Sequence, residues 1–484
     1  MAFFQVDRTQ FPIGQGGFHS TVVDTLHHGR LSMVVDCGGS DATHRRRLIE
    51  TFAQRGRQHD ILAISHFDED HINGVEALHA AGIKFKTVFL PHVKAEDYLL
   101  WMTLRISAGE VSVNELARMV QTAGRLYGGD FGPVVLVGPP GPLTPGDPGR
   151  DPSAGDNLKE LLTDDAYQAV MSARGPHGRI FSCSQSLTFK DIDWLFRFYS
   201  REWAYPDEVR KIWELPFLAK LKAVVDRTKH SMPPNGWASF ATDLETELSS
   251  KVPPSEAGYV KGLLGRSPSK GDPRAKPLQK LARDIQFKSG GLSCKNVLSQ
   301  LYSLSESLQN YNDASMCVYS GPAERGIGAR RELFSRSVQS GHWALRSQKL
   351  DGISNREVGW ISTGDADFST LEKLHDFLWH YHAEIALTSV FVLPHHGSRM
   401  SYDPNMDRLR ELIANLSDRP LFIAPANPEH KKYRHPHWPV ESTCRKAGDF
   451  YVVDQDLASF YRESVKTVRN LTGLMILERR YLLG

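Results

Sequence analysis

The sequence predicts an α/β fold with a large, mainly helical insertion, and three observations support this. Short apolar segments typical of buried strands alternate with turns through the first ninety residues. A segment with helical spacing, 45–54, lies among these strands. The strand pattern returns at about residue 311, after a long stretch of a different character. Strands that alternate with helices are typical of layered α/β proteins.

The predicted elements follow the chain in a simple order. Five strands are predicted before the insertion, at 3–6, 21–23, 31–35, 60–65 and 87–90. Proline and glycine are enriched at 139–152, which indicates a boundary, and a short strand-like segment near 180–194 precedes helical segments separated by proline pairs. Four strands follow, at 315–319, 358–362, 389–393 and 421–424. We therefore divide the chain into a first core half at 1–138, an insertion at 139–305 and a second core half at 306–484.

Composition excludes several classes of protein. The chain has 484 residues, of which 40% are hydrophobic and 24% charged, and these fractions are typical of a globular protein. Its 58 Lys and Arg against 56 Asp and Glu exclude a polycation. Five cysteines without a C-x-x-C pair argue against a disulfide framework and a thiolate zinc site. No apolar segment is long enough to span a bilayer, so we expect a soluble cytoplasmic protein without membrane contact. The unusual feature is histidine: eight of the twenty lie between His375 and His437.

The insertion carries a local positive charge. Residues 259–295 contain nine Lys and Arg against two Asp and Glu. Such a segment is either a solvated helical face or a surface that faces a polyanion, and both interpretations stay open. A protein partner bound through 139–305 is a further hypothesis.

The densest group of polar residues follows a predicted buried strand. His66, Asp68, Asp70 and His71 fall within six residues, directly after the strand at 60–65. Side chains packed this closely would repel or lose solvation unless a cation lay between them. The alternative is a charged surface loop, but similar groups follow later strands. The pattern therefore predicts a metal site.

Three later strand ends carry further candidates. Asp365 follows Gly364, whose missing side chain lets a ligand approach closely, whereas Asp367 is predicted as a turn or cap residue. His395 and His396 form a pair after an apolar strand, a place where two polar rings rarely fill a core. The last group follows the strand at 421–424 and contains His430, His435 and His437. We favour His435 within it, and His92 stays an undecided extra ligand.

These motifs as a set resemble a known family. The segment 66–71 is similar to the H-x-D-x-D-H variant of the metallo-β-lactamase motif. The segments 14–16, 35–38, 363–365, 394–398 and 435–436 resemble, in order, the other landmarks of the hydrolase domain of ComEC-type DNA-uptake proteins. The resemblance covers roughly 1–90 and 310–445. The membrane channel of ComEC-type proteins is absent from this chain, and its residues 140–305 have no recognised counterpart in that family. It implies an αββα sandwich with a dinuclear metal centre.

The resemblance also implies roles for the residues. His66 and Asp68 would hold one ion and Asp70, His71 and His435 the other, with Asp365 between them; the ions would be Zn²⁺ or Mn²⁺, with Mg²⁺ as an alternative. From their position, His396 is expected as a ligand and His395 as a proton donor or a phosphate contact, and Asp70 is expected to act in catalysis as well as in metal binding. Candidate phosphate-binding residues, for which ordinary surface polarity is the alternative, are Ser398, Lys432 and Arg434.

The leading hypothesis for function is a metal-dependent phosphodiesterase, a nuclease that acts on DNA through a metal-activated hydroxide. A hydrolase of a small molecule such as a lactone, thioester or cyclic nucleotide is an alternative, because the fold hosts all of these reactions. A third hypothesis is an effector or scaffold in a bacterial defence complex, to which stand-alone relatives of the family belong.

Overall fold

The structure is a computed structural model, and it describes most of both predicted core halves and parts of the segment between them. The described residues are 4–25, 29–93, 95–109, 111–138, 156–157, 179–182, 186–188, 194–201, 213–226, 236–253, 293–295, 297–299, 311–322, 333–340, 352–354, 357–431 and 433–468.

Strands that form two sheets make up the centre of the described fold. In chain order they are β1 (Phe4–Gln10), β2 (His19–Thr25), β3 (Gly29–Val35), β4 (Gln58–Ala63), β5 (Lys84–Pro91), β6 (Val134–Gly138), β7 (Asp156–Asn157), β8 (Arg179–Ser182), β9 (Ser186–Thr188), β10 (Leu195–Tyr199), β11 (Cys317–Gly321), β12 (Leu333–Ser340), β13 (Gly352–Ser354), β14 (Gly359–Ser362), β15 (Thr388–Val392), β16 (Leu421–Pro425), β17 (Asp449–Val453) and β18 (Tyr461–Val468).

Both sheets are mixed. The first has the order β13-β12-β18-β1-β2-β3-β4-β5-β6-β8, and the second β17-β16-β15-β14-β11-β10-β9-β7. Strands β3, β4, β5, β6 and β8 run parallel, as do β14, β15, β16 and β17. The carboxyl ends of parallel neighbours meet at one sheet edge, so the residues that follow them are brought together. These mixed sheets with helices confirm the α/β class.

Helices connect and cover the strands. They are α1 (Ala42–Gln54), α2 (Glu69–Ile72), α3 (Val75–Ala80), α4 (Ala95–Ala108), α5 (Val113–Gly128), α6 (Ala219–Asp226), α7 (Gly236–Ser249), α8 (Leu371–His380), α9 (Asp407–Asn415) and α10 (Trp438–Ala447). Local signals start several of them: Asp41 accepts a bond from a backbone N–H of α1, and Ser112 with Glu115 forms a capping box at α5. A tight turn with left-handed residues lies at Pro394–Gly397, and a short 3₁₀ turn lies at Arg399–Ser401.

Apolar side chains of the two sheets share a buried cluster. Val6 and Ile61 of the first sheet belong to it together with Phe196 and Val318 of the second. Alternate residues of the strands point the other way, as expected from the two-residue period of a strand. On the first sheet they pack with α1, α3, α4 and α5, and on the second with α8, α9 and α10.

A buried arginine of the first sheet joins the two sheets. Arg8 of β1 pairs with Glu463 of β18, and neither side chain is exposed. The Arg8 guanidinium also donates to the backbone oxygens of Ser320, at 2.7 Å, and Val358, at 2.5 Å. The Arg8 guanidinium therefore contacts a carboxylate of the first sheet, a backbone oxygen of β11 and one directly before β14, in the buried cluster between the two sheets.

The segment 139–305 contributes to both sheets. Its residues form β7 to β10, and β10 pairs along its length with β11 of the second core half. Helices α6 and α7 also come from this segment, but most of the basic stretch 259–295 lies outside the described residues. Among the helices that the structure describes, none combines the length and apolar character needed to cross a lipid bilayer.

Candidate metal centre

The polar residues singled out in the sequence lie where several strands end. Strand β4 ends at Ala63, and the segment 65–71 follows it directly. Asp36 follows β3, Asp365 follows β14, and His395 and His396 follow β15. The topology therefore collects residues from distant parts of the chain at one place.

One group of ligand atoms consists of His66, His71 and Asp365, all buried. His71 Nε2 lies 3.2 Å from Asp365 Oδ1, and His66 Nε2 lies 3.6 Å from Asp365 Oδ2. The two rings are 4.1 Å apart between centroids. The two oxygens of Asp365 thus face two different imidazoles, which suits a carboxylate that bridges two ions.

A second group shares His71 with the first and adds Asp70 and His396. His396 Nε2 lies 3.1 Å from Asp70 Oδ2 and 3.9 Å from Asp365 Oδ1. The opposite ring nitrogen, Nδ1, donates to the backbone oxygen of Pro425 at 2.9 Å. Strand β16, which ends at Pro425, therefore fixes the direction in which His396 presents Nε2.

Asp36 orients His71 from behind the group. Its Oδ2 accepts a hydrogen bond from His71 Nδ1 at 2.9 Å and another from Ser65 Oγ at 2.7 Å. Its Oδ1 accepts from the backbone N–H of Ser65 at 2.6 Å. A carboxylate that holds one nitrogen of an imidazole and directs the other is common behind metal-binding histidines.

The chain takes left-handed backbone conformations around these residues. Asp36, His395 and His396 have φ values of 57°, 48° and 59°. Side chains other than glycine adopt this region rarely, at a cost of about 1–3 kcal/mol each, and such residues are concentrated at functional sites. The left-handed backbone of the turn after β15 therefore costs conformational free energy, and it sets the directions of two adjacent histidine side chains.

Two glycines allow the segments to approach closely. A Cβ atom on Gly38 would lie 2.5 Å from the backbone of Asp70, and one on Gly364 would lie 2.7 Å from Cβ of Ser65. Gly364 also has a φ of 53°. The glycine before Asp365 is therefore required by the backbone conformation and by its contact with the loop after β4.

The electrostatics of the group favour added positive charge. Burial by itself lowers the pKa of His71, but Asp365 and Asp36 outweigh it and hold that pKa well above its usual value. Burial raises the pKa of Asp365 and Asp70, yet the surrounding histidines overcome this and hold both below their usual range. Carboxylates kept ionised inside a protein require cationic partners.

The atoms of the group fit a divalent cation. His71 faces a carboxylate with each ring nitrogen, Asp36 at Nδ1 and Asp365 at Nε2. Its Nε2 and Asp365 Oδ1 are buried, and neither has a hydrogen-bond partner among the described residues. A cation between the imidazole and the carboxylate would satisfy both atoms. The mixed nitrogen and oxygen donors suit Zn²⁺ and Mn²⁺.

Two predicted ligands lie beside the groups rather than within them. Asp68 Oδ2 is 3.9 Å from His66 Nε2, while Oδ1 accepts from Arg105 Nη1 at 3.1 Å. His435 hydrogen-bonds through Nδ1 to Gln15 Nε2 at 3.2 Å. Its ring lies 6.2 Å from that of His396, and burial together with neighbouring histidines lowers its pKa to about 3.

The predicted catalytic histidine stands at the more open side. The His395 side chain is 31% exposed, and its Nδ1 lies 3.9 Å from Asp365 Oδ2. Asn312 Nδ2 lies 3.3 Å from the same nitrogen, so two neighbours restrain the ring. Asp367 caps its own turn by accepting from the backbone of Ser369.

The other predicted residues have different surroundings. Ser398 is buried, and its Oγ accepts from the backbone of Met400. Arg434 is exposed, and Lys432 lies outside the described residues. His92 belongs to neither ligand group, and its backbone N–H donates to Val137 in the sheet.

Sequence reasoning did not assign roles to several residues that support the ligands. Asp36 is an acid at a strand end, which is the same signal that selected Asp365. Ser65 and Ser315 both approach His66 Nδ1 through their hydroxyls, at 3.0 and 3.2 Å. Nothing in the sequence around Ser315 or Arg105 marks them, because only the tertiary structure brings them to the site.

Comparison with known proteins provides no assignment. No protein-family model matches the chain, and no curated protein sequence matches it either.

Proposed function

We propose that the protein is a metal-dependent phosphodiesterase, a nuclease that acts on DNA, built as an αββα sandwich of the metallo-β-lactamase type. The observation that carries this proposal is Asp365, whose two carboxylate oxygens face His66 and His71, beside a second ligand group of Asp70, His71 and His396. A carboxylate placed between two ions suits a two-metal site, and such sites are common among enzymes that cleave phosphodiesters.

The layered packing supports the fold in the proposal. Side chains of both sheets form one buried cluster, and the helices pack on the other face of each sheet. The sites of metallo-β-lactamase-type sandwiches lie at strand ends, which is where these ligands are found.

The residues can be given roles in the proposed reaction. His66, His71, Asp70, Asp365 and His396 would hold two divalent ions, with Asp68 and His435 completing the set. When bound, the ions supply an activated water and polarise the phosphoryl oxygens. Asp36 and Pro425 keep the Nε2 atoms of His71 and His396 directed at the centre. His395, which is partly exposed, supplies a proton to the leaving oxygen.

The proposed substrate lies across the exposed side of the site. The His395 side chain stands there and is 31% exposed, whereas His66, His71 and His396 are buried. The argument from the sequence for DNA is the basic segment 259–295, which is almost entirely outside the described residues.

The test is cleavage of linear DNA by the purified full chain with Mn²⁺. Asp70→Asn keeps the shape of the side chain but removes its charge, so we expect cleavage to fall at least about 100-fold, in line with the loss of an essential charged group. His375→Ala is the matched control, because His375 is an exposed histidine that pairs with Glu411 on the surface. Circular dichroism checks that each variant is folded.

Two results would contradict the proposal. Equal cleavage by the wild type and Asp70→Asn would remove the site from the reaction. Absence of cleavage of DNA with Mn²⁺, Zn²⁺ or Mg²⁺, while elemental analysis detects bound metal, would show that the centre serves another substrate.

A further inference from the structure

Exposed aromatic and apolar side chains lie next to the candidate metal centre. Trp438 is 71% exposed, Met400 70% and Tyr433 39%. Tyr433 belongs to the segment between β16 and α10, and Trp438 begins α10. Single exposed apolar side chains are ordinary on a protein surface, but a group of them indicates a binding region.

Two hydrogen bonds join the segments that carry these side chains. The backbone N–H of Arg399 donates to Nδ1 of His437 at 3.0 Å, and that of His437 donates to the oxygen of Gly397 at 3.0 Å. Met400 follows Arg399, and Trp438 follows His437. The turn after the paired histidines and the start of α10 are therefore fixed side by side.

A series of nearly parallel rings leads from this surface into the centre. Tyr433 stacks on His430 at 4.9 Å and 20°, and on His435 at 5.8 Å and 29°. The ring of His435 lies in turn 6.2 Å from that of His396, at 25°. His396 contacts Asp70 in the second ligand group. A flat ring that stacked on this series would thus be positioned close to the proposed metal ions.

The charge of the same surface suits an anion. Arg399, Lys431 and Arg434 are exposed, and they lie within two residues of Met400 or Tyr433 along the chain. Glu429 is the exposed acid of the segment 427–434. Glu441 of α10 is engaged by Arg445, whose Nε donates to it at 2.8 Å. Positive side chains that alternate with exposed rings are the combination that proteins use to bind single-stranded nucleic acid.

We propose that this aromatic surface, formed by Met400, Tyr433 and Trp438 with Arg399, Lys431 and Arg434, binds single-stranded DNA. The proposal deepens the proposed function, on which it rests, by naming the form of the substrate. Unpaired bases stack on Tyr433 and Trp438, and the cationic side chains contact the phosphates. A duplex cannot bind in this way because its bases are already stacked on one another, so the surface selects single strands or frayed ends.

Fluorescence anisotropy of the full chain tests the surface. The probe is fluorescein-labelled oligo(dT), and EDTA keeps catalysis out of the measurement. Stacking contributes enough per base that Tyr433→Ala with Trp438→Ala should weaken binding at least about tenfold. Tyr433→Phe with Trp438→Phe keeps the flat rings and should retain binding within about threefold of wild type.

Trp379→Ala is the matched control, because Trp379 is an exposed tryptophan on α8, outside this surface. It should bind oligo(dT) as the wild type does. A labelled duplex of the same length should bind more weakly than oligo(dT), and the double alanine variant should change its affinity little.

The proposal is overturned if the double alanine variant binds oligo(dT) as Trp379→Ala does, or if it loses affinity for the duplex and the single strand equally. These outcomes are separate from failure of the proposed function. A protein that binds oligo(dT) through the aromatic surface but cleaves no DNA would refute the nuclease alone. Cleavage that depends on Asp70 without any contribution from the surface would refute the surface alone.

Discussion

Replacing Asp36 by Asn tests whether this residue directs the metal-binding histidine. The carboxylate accepts hydrogen bonds from His71 Nδ1 and from both the backbone N–H and the hydroxyl of Ser65, at 2.6–2.9 Å. Asn can still accept from Ser65, but its NH₂ group would face His71. His71 then has to accept through Nδ1 and carry its proton on Nε2, where the lone pair for a metal is needed.

The expected loss of metal affinity follows from this change of tautomer. Removal of a group that orients a ligand typically costs about 10–100-fold in metal affinity, which corresponds to about 1.4–2.8 kcal/mol. Loss of a charged hydrogen bond should also reduce the free energy of unfolding by about 2–3 kcal/mol. Isothermal titration with Mn²⁺ measures the first quantity, and urea unfolding without metal measures the second.

Asp60 offers a matched control on a neighbouring strand. Asp60 lies in β4, and like Asp36 it accepts hydrogen bonds from the backbone N–H and the hydroxyl of one serine, Ser32 of β3. It forms an ion pair with Lys86 rather than contacting a histidine of the site. Asp60→Asn should therefore reduce stability without changing the affinity for Mn²⁺. Wild-type affinity in Asp36→Asn, or an equal loss in both variants, would refute the role assigned to Asp36.

Three further predictions concern the buried ion pair between Arg8 and Glu463, a buried histidine and the metal. In urea titrations, Glu463→Gln should lower the free energy of unfolding by about 3–5 kcal/mol, because it leaves the buried charge of Arg8 without its carboxylate. Asp7→Asn removes the more exposed pair with Arg462 on the same two strands, and it should lower the free energy of unfolding by less than about 1 kcal/mol. Burial and Arg8 lower the pKa of His19 to about 3. As the pH falls, the unfolded chain therefore binds the proton before the folded chain does, and the free energy of unfolding should fall by about 1.4 kcal/mol per pH unit below about pH 6.5. Urea titrations at several pH values should show a smaller slope for His19→Gln. Saturating Mn²⁺ should raise the thermal midpoint of the wild type, as binding at 100 times Kd adds about 2.7 kcal/mol, and calorimetry should detect a smaller rise in Asp70→Asn.

Much of the fold could be predicted from the sequence because buried strands leave a local signal. The predicted strands at 31–35 and 389–393 correspond to β3 and β15, which end within one residue of the expected positions. The contribution of 139–305 to both sheets was harder to predict. Its strands are short and separated by long segments, so neither period nor length distinguishes them from loops.

The positions of the candidate ligands were predictable for a related reason. Strand ends are marked by a change from apolar to polar residues, and His66, Asp70, Asp365 and His396 all follow such changes. Their supporting residues show no comparable mark: Ser315 and Arg105 reach the ligands from elements far along the chain. Ser398 stands beside the histidine pair in the sequence and was therefore predicted to bind phosphate. In the structure its hydroxyl is buried and caps the turn that follows it.

The sequence by itself determined the α/β class, the strand ends at which polar residues collect, and the cluster of eight histidines between His375 and His437. These depend on local composition and period, which every segment carries with it. Only the tertiary structure decided that His71 stands between Asp36 and Asp365, that one Asp365 carboxylate faces two imidazoles, and that exposed rings lead toward His396. Such relations depend on parallel strands that bring distant segments to one edge, and neither the spacing nor the type of residues along the chain specifies them.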